Sequence, residues 1–111
     1  MVNRPKPAQQ DVWLCALDPT RGSEIQKTRP CVIVSPDDLN EKLSTFIIVP
    51  MTTGNRLTPF RVSCIFAGKS GILLPDQMRA IDRSRAVKFL GKLDTDTFAQ
   101  TLAVLREMFE E

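Results

Sequence analysis

Histidine is absent from all 111 residues. That removes the side chain most often used to move protons near neutral pH, and the commonest nitrogen ligand of a zinc site. The three cysteines, Cys15, Cys31 and Cys64, each lie inside an apolar run with no Cys-x-x-Cys spacing, so they read as buried small hydrophobes. Only scattered carboxylates remain as hard donors, and neither a metal site nor a cofactor is expected. Charge of one sign is also lacking. Against 13 Asp+Glu stand 15 Lys+Arg, and a net +2 is too small to announce a nucleic-acid partner by itself. No apolar run approaches membrane-spanning length, and residues 1–10 are polar and proline-bearing without the apolar centre of a signal peptide. The expectation is a cytoplasmic protein with reduced thiols and no membrane partner.

What is present suits one compact unit. At 42% hydrophobic and 25% charged residues, the length allows one core and one domain over residues 11–111, behind a loose leader over residues 1–10. So small a domain leaves apolar surface on which a second copy could pair. Arg21, Lys27, Arg29, Arg56, Arg61, Lys69, Arg79, Arg83, Arg85 and Lys88 fall before the last helix, whereas Asp94, Asp96, Glu107, Glu110 and Glu111 collect at the C-terminus. That asymmetry permits a basic face.

Apolar runs bounded by turn residues predict strands over Asp11–Leu17, Pro30–Ser35 and Phe46–Thr52. Phe60, Val62, Cys64 and Phe66 alternate with Arg61, Ser63 and Ile65, the period of a half-buried strand, with a turn expected over Gly68–Gly71. Gly71–Leu74, Gln77–Ile81 and Ala86–Leu90 read as further short strands. Ser35-Pro36 offers a cap followed by proline for a short helix to about Leu43. Asp94 caps a final helix whose Phe98, Leu102, Leu105 and Phe109 recur on one stripe, with Leu93 and Phe98 placed as a staple. Many short strands and one amphipathic helix predict a mainly β fold, a small bent barrel with a helix packed on it. Residues 18–28 and 53–59 are left as exposed loops.

The block Asp18-Pro-Thr-Arg-Gly-Ser-Glu24, then Lys27-Thr-Arg-Pro30 and a strand ending at Ser35-Pro36, resembles the signature of the MazF/PemK toxins. Asn40, Val49-Pro-Met-Thr-Thr53, Leu74-Pro-Asp-Gln77, Arg79-Ala-Ile-Asp82 and Arg85 continue it in order. Two departures stand out. Gln10-Asp11 replaces the usual Gly-Asp, and Leu74 occupies the place where some members carry an arginine regarded as a catalytic acid. The resemblance implies an SH3-like β-barrel with added helices, a homodimer, and metal-free, sequence-selective cleavage of single-stranded RNA, chiefly messenger RNA. The ribose 2′-hydroxyl would attack the adjacent phosphate. It also implies a cognate antitoxin whose acidic, disordered tail covers the RNA groove and lifts the block on translation and growth.

Such a reaction needs a group to take the 2′ proton, donors to steady the phosphorane and help for the departing 5′-oxygen. Arg29, at a loop-to-strand junction fixed by Pro30, suits transition-state stabilisation because its guanidinium is always charged and can hold two phosphate oxygens. Thr52 ends a strand, where its hydroxyl can donate. Glu24, Asp18 and Asp76 are the carboxylates from which a general base would come, and sequence does not choose among them; Glu24 could instead orient Arg29, and Asp76 with Gln77 could satisfy backbone groups. Aromatics are few, six Phe and one Trp, and Trp13 reads as core. RNA contacts are therefore expected from Thr20, Gln26, Lys27, Thr53 and Asn55, with Arg56, Arg61, Arg79 and Arg85 for phosphates. Two other readings compete. One is a CcdB-type poison of DNA gyrase, which needs a tryptophan-containing C-terminus where this sequence has Met108-Phe-Glu-Glu111. The other is a catalytically idle SH3-like module that binds RNA or protein.

Overall fold

Central strands that are apolar on successive residues must be covered on both faces. In the computed structural model, which describes residues 6–54 and 57–111, they are. Strands β1 (Asp11–Ala16), β2 (Thr28–Ile33), β3 (Thr45–Thr52), β4 (Val62–Phe66), β5 (Lys69–Leu73), β6 (Arg79–Asp82) and β7 (Ala86–Lys92) form one antiparallel sheet in the order β4-β5-β3-β2-β1-β7, with β6 also on β3. Val12, Val32 and Val49 face one buried cluster, completed by Val62, Leu73, Leu93 and Phe98. Their neighbours Trp13, Cys31, Ile33 and Ile48 face a second, with Leu17, Phe46 and Ile81. The sheet curls into a half-barrel. Its edge strands approach closely enough that a methyl added to Gly91 on β7 would lie 3.5 Å from the Phe66 ring on β4. The mainly β, SH3-like barrel with a short helix α1 (Asp37–Lys42) after the second strand and a C-terminal helix α2 (Thr95–Met108) is the fold the sequence predicts.

Several boundaries differ from expectation for local reasons. The β4–β5 turn sits at Ala67-Gly68, not Gly68–Gly71. Both turn residues have positive φ, +52° and +77°, so a two-residue hairpin matches the strand twist and Phe66 pairs with Lys69. Phe60 lies in an exposed turn, and β4 starts at Val62. Ser35 does not cap α1. Its hydroxyl bonds the Oδ1 of buried Asn40 at 2.5 Å and accepts from the Ile47 amide, so Asn40 serves the strand-to-helix corner.

The end of the leader is built in rather than loose. The Gln9 amide donates to Asp37, and the Gln10 amide donates to the Ile33 carbonyl at 2.8 Å. Gln10 stands at φ +79°, the region that favours glycine, and its side-chain amide donates to the Leu93 carbonyl at 2.6 Å. In α2 the Asp94 carboxylate accepts from the Thr97 amide at 2.9 Å, and Leu93 and Phe98 are buried together. Leu102 and Leu105 are half-buried, but Phe109 falls beyond the helix end and is 67% exposed, so the stripe is one residue shorter than predicted. Among the described residues no helix is long and apolar enough to cross a membrane.

Candidate active site

Arg29 and Thr52 are brought together by neighbouring strands. β2 and β3 run antiparallel with Cys31 opposite Pro50, and beyond that last pair Arg29 and Thr52 line the same cavities. Thr52 is 6% exposed, and its Oγ1 accepts from the Gly54 amide at 3.2 Å, leaving its own proton to donate. Arg29 is half-buried, and its Nε donates to the Gln26 carbonyl at 3.1 Å. Its terminal nitrogens have no hydrogen-bond partner among the described residues. Together these residues form a floor with one fixed cation and one hydroxyl.

The second wall is the loop from Asp18 to Lys27, which is held by side chains. The Asp18 carboxylate accepts from the Lys27 amide at 3.1 Å and the Thr20 hydroxyl at 3.4 Å. Arg79 donates to the Leu17 carbonyl at 3.1 Å, and Arg85 to the carbonyls of Ala16 at 3.0 Å and Asp18 at 2.6 Å. These two arginines, expected at phosphates, serve carbonyls where the β1 ladder ends. Gln77, in the short 3-10 turn Pro75–Gln77 after β5, accepts from the Ile25 amide at 2.6 Å and donates to the Ser23 carbonyl at 3.3 Å. Glu24 accepts from the Arg21 amide at 2.5 Å. Asp76 is gripped by Arg61 through two bonds of 3.1 and 3.0 Å, and that carboxylate raises the Arg61 guanidinium further above its ordinary pKa.

Floor and loop enclose a polar cavity of about 360 Å³ lined by Glu24, Gln26, Arg29, Thr52, Thr53 and Gln77, with Gly22, Ser23, Ile25 and Gly54. Six residues singled out from the sequence thus meet in one place. Asp18, Thr20 and Lys27 sit at the root of the loop and do not line it. Asp76 and Arg79 line an adjoining cavity with Glu24 and Gln77. Asn55 and Arg56 lie outside the described residues. Among the described residues no three carboxylate or thiol groups gather as a metal cluster would require.

Sequence reasoning missed the other side of the floor. Arg29, Thr52 and Thr53 also bound a more apolar cavity of about 290 Å³, closed by Pro30, Met51, Phe66, Lys69, Ser70, Gly71 and Leu90. Phe66 is in phase with buried Val62 and Cys64, so periodicity assigns it to the core. Its position at the strand end, next to the turn, was the only signal that it could reach a cavity.

A cation and a hydroxyl between two cavities, with one carboxylate nearby, can hold a phosphodiester while leaving room for a base on either side. Residues 8–109 match the family model described as PemK-like, MazF-like toxin of type II toxin-antitoxin system. The chain is 36% identical over 101 residues to the endoribonuclease PemK of Escherichia coli, covering 86% of this chain and 76% of that one. Its fold superposes on the crystal structure of MazF from Deinococcus radiodurans with a TM-score of 0.84 at 26% identity, over 95% and 97% of the two chains. A MazE–MazF structure from the same organism matches with a TM-score of 0.69 at 27% identity, over 91% and 92%. The chain belongs to the PemK-like, MazF-like toxins of type II toxin-antitoxin systems and is an endoribonuclease.

Proposed function

We propose that this endoribonuclease cuts single-stranded RNA, chiefly messenger RNA, at a short sequence and without metal. The observation that carries the reading is the shared wall of Arg29, Thr52 and Thr53 between a polar and an apolar cavity. The scissile phosphate lies on that wall. The ribose 2′-oxygen bonds to phosphorus as the bond to the 5′-oxygen breaks and that oxygen takes a proton from water, giving a 2′,3′-cyclic phosphate and a 5′-hydroxyl. Arg29 stabilises the phosphorane, and Thr52 donates to one of its oxygens. Glu24 is the carboxylate best placed to take the 2′ proton, because it lines the cavity with Arg29 and Thr52, whereas Asp18 lies at the loop root and Asp76 is paired with Arg61. Gln26 and Thr53 read bases on the polar side, and a base stacks against Phe66 on the other.

A cognate antitoxin with an acidic tail suits a groove whose floor carries Arg29 and Lys69, and a homodimer completes the working toxin in the cytoplasm. Incubating the purified protein with a long RNA in EDTA tests the reading. Cuts at one recurring word, with cyclic phosphate and 5′-hydroxyl ends, are expected. Intact RNA at every protein concentration overturns it, as does cleavage that appears only when a divalent ion is restored.

A further inference from the structure

Gln77 lies outside the Asp18–Lys27 loop, and its side chain grips the middle of that loop. The amide does so at two successive odd positions, accepting from Ile25 N–H and donating to Ser23 C=O. Between Ile25 and Arg29 the chain reaches Gln26, whose carbonyl accepts the Arg29 Nε at 3.1 Å. The other end of Gln77 is equally well fixed. Its backbone amide donates to Leu74, and the Leu74 amide donates to Pro50 in β3 at 2.9 Å, two residues before Thr52. Leu74 and Pro75 are both buried, so the turn cannot shift without opening the core. Hydrogen bonds therefore run from the strand bearing Thr52 through Gln77 to Ile25, and the covalent chain carries the link one residue on to the Gln26 carbonyl that orients Arg29.

We propose that Gln77 is a positioning residue that sets the Arg29 guanidinium against Thr52 by latching the loop at Ser23 and Ile25. This rests on the ribonuclease reading above. Gln77 does not transfer a proton, since an amide has no useful acid or base at neutral pH. Its contribution is to remove freedom from Gln26 and so from the direction of the Arg29 fork, and small misplacements of such a group cost rate rather than substrate affinity. The side chain is half-buried with both ends of its amide used, so shortening it leaves the loop without a substitute partner.

The test uses the full chain and a short RNA containing the mapped word. Gln77→Ala is expected to lower kcat by about tenfold with KM within about twofold, as loss of orientation predicts. Gln77→Glu keeps the acceptor for Ile25 and loses the donor to Ser23. Its rate relative to the parent should lie between the two and rise as acidification protonates the new carboxyl and restores a donor. The deciding measurement is the double variant. In an Arg29→Lys background, which lacks the Nε that Gln26 holds, Gln77→Ala should cost less than about twofold, since residues acting through one another are not additive. An equal loss in both backgrounds overturns the proposal, as does a Gln77→Ala variant that matches the parent.

Limited trypsin digestion gives a second reading without RNA. Cleavage after exposed Arg21 and Lys27 should accelerate in Gln77→Ala at an unchanged melting temperature, and equal rates in parent and variant overturn the latch. A parent that cuts no RNA overturns the ribonuclease reading instead, and the digestion then still decides whether the latch exists.

Discussion

The two walls of the site are built by different physics. Arg29 and Thr52 stand on neighbouring strands, where backbone ladders and two buried clusters fix the Cα positions whatever the side chains are. Residues 18–27 form no ladder of their own. Asp18, Gln77 and Arg85 hold them through side-chain bonds to backbone groups, and Arg79 holds Leu17 just before them. Chemistry on the floor can therefore be altered without moving the fold. Substitutions in the loop supports move the loop while leaving the floor in place.

That contrast fails most visibly if the floor is structural. Arg29→Ala should leave the melting temperature near that of the parent yet lower the cleavage rate on the order of a hundredfold or more, by analogy with losing one donor to a developing anion. A variant that cuts as fast as the parent removes Arg29 from the chemistry, and one that does not fold removes the distinction between the walls. A smaller effect comes from the loop root. Asp18→Ala frees the Lys27 and Thr20 donors and should cost about 1 kcal/mol or less in a denaturant titration, with faster trypsin cleavage after Lys27. Unchanged cleavage at Lys27 would mean that the Leu17–Lys27 backbone bond and the arginines close the loop without Asp18.

The smallest effect lies outside both walls and serves as their reference. The Thr97 amide, and then its hydroxyl, hold the Asp94 carboxyl below its ordinary pKa. A carboxyl depressed by folding stabilises the native state above its unfolded pKa, about 3.9, and loses that contribution as pH falls through the folded value. The melting-temperature gap between parent and Asp94→Ala should thus be constant above about pH 5 and narrow in more acidic buffer. A gap that widens on acidification would reverse the assigned sign. Cleavage at neutral pH should be the same in both proteins.

Much of this could be read in advance because the signals are local. Asp94 with Leu93 and Phe98 marks a helix start within five residues, and two-sided burial leaves continuous apolar runs in β1, β2 and β3. The turn at Ala67-Gly68 was misplaced because alanine carries no mark of a positive φ, which the paired strands impose. Phe66 packs on the core as its period predicts, but its place on a cavity was missed because period 2 gives the face of a strand and not whether that face is fully covered at its end. The jobs of Arg79 and Arg85 were hidden for a related reason. Their carbonyl partners lie 62 and 67 to 69 residues away in the chain.

Residue types and their order determined that this protein has a cation, a hydroxyl and carboxylates for RNA chemistry, no histidine to share the work, and a β-rich scaffold on which to mount them. Only the tertiary structure decided which of them meet. Neighbouring strands bring Arg29 and Thr52 to one cavity, and the Arg61 pair withdraws Asp76 while the loop leaves Glu24 on that cavity. The reason is range. Periodicity and capping act over a few bonds of chain, whereas a site depends on distances between segments that only the closed sheet brings together.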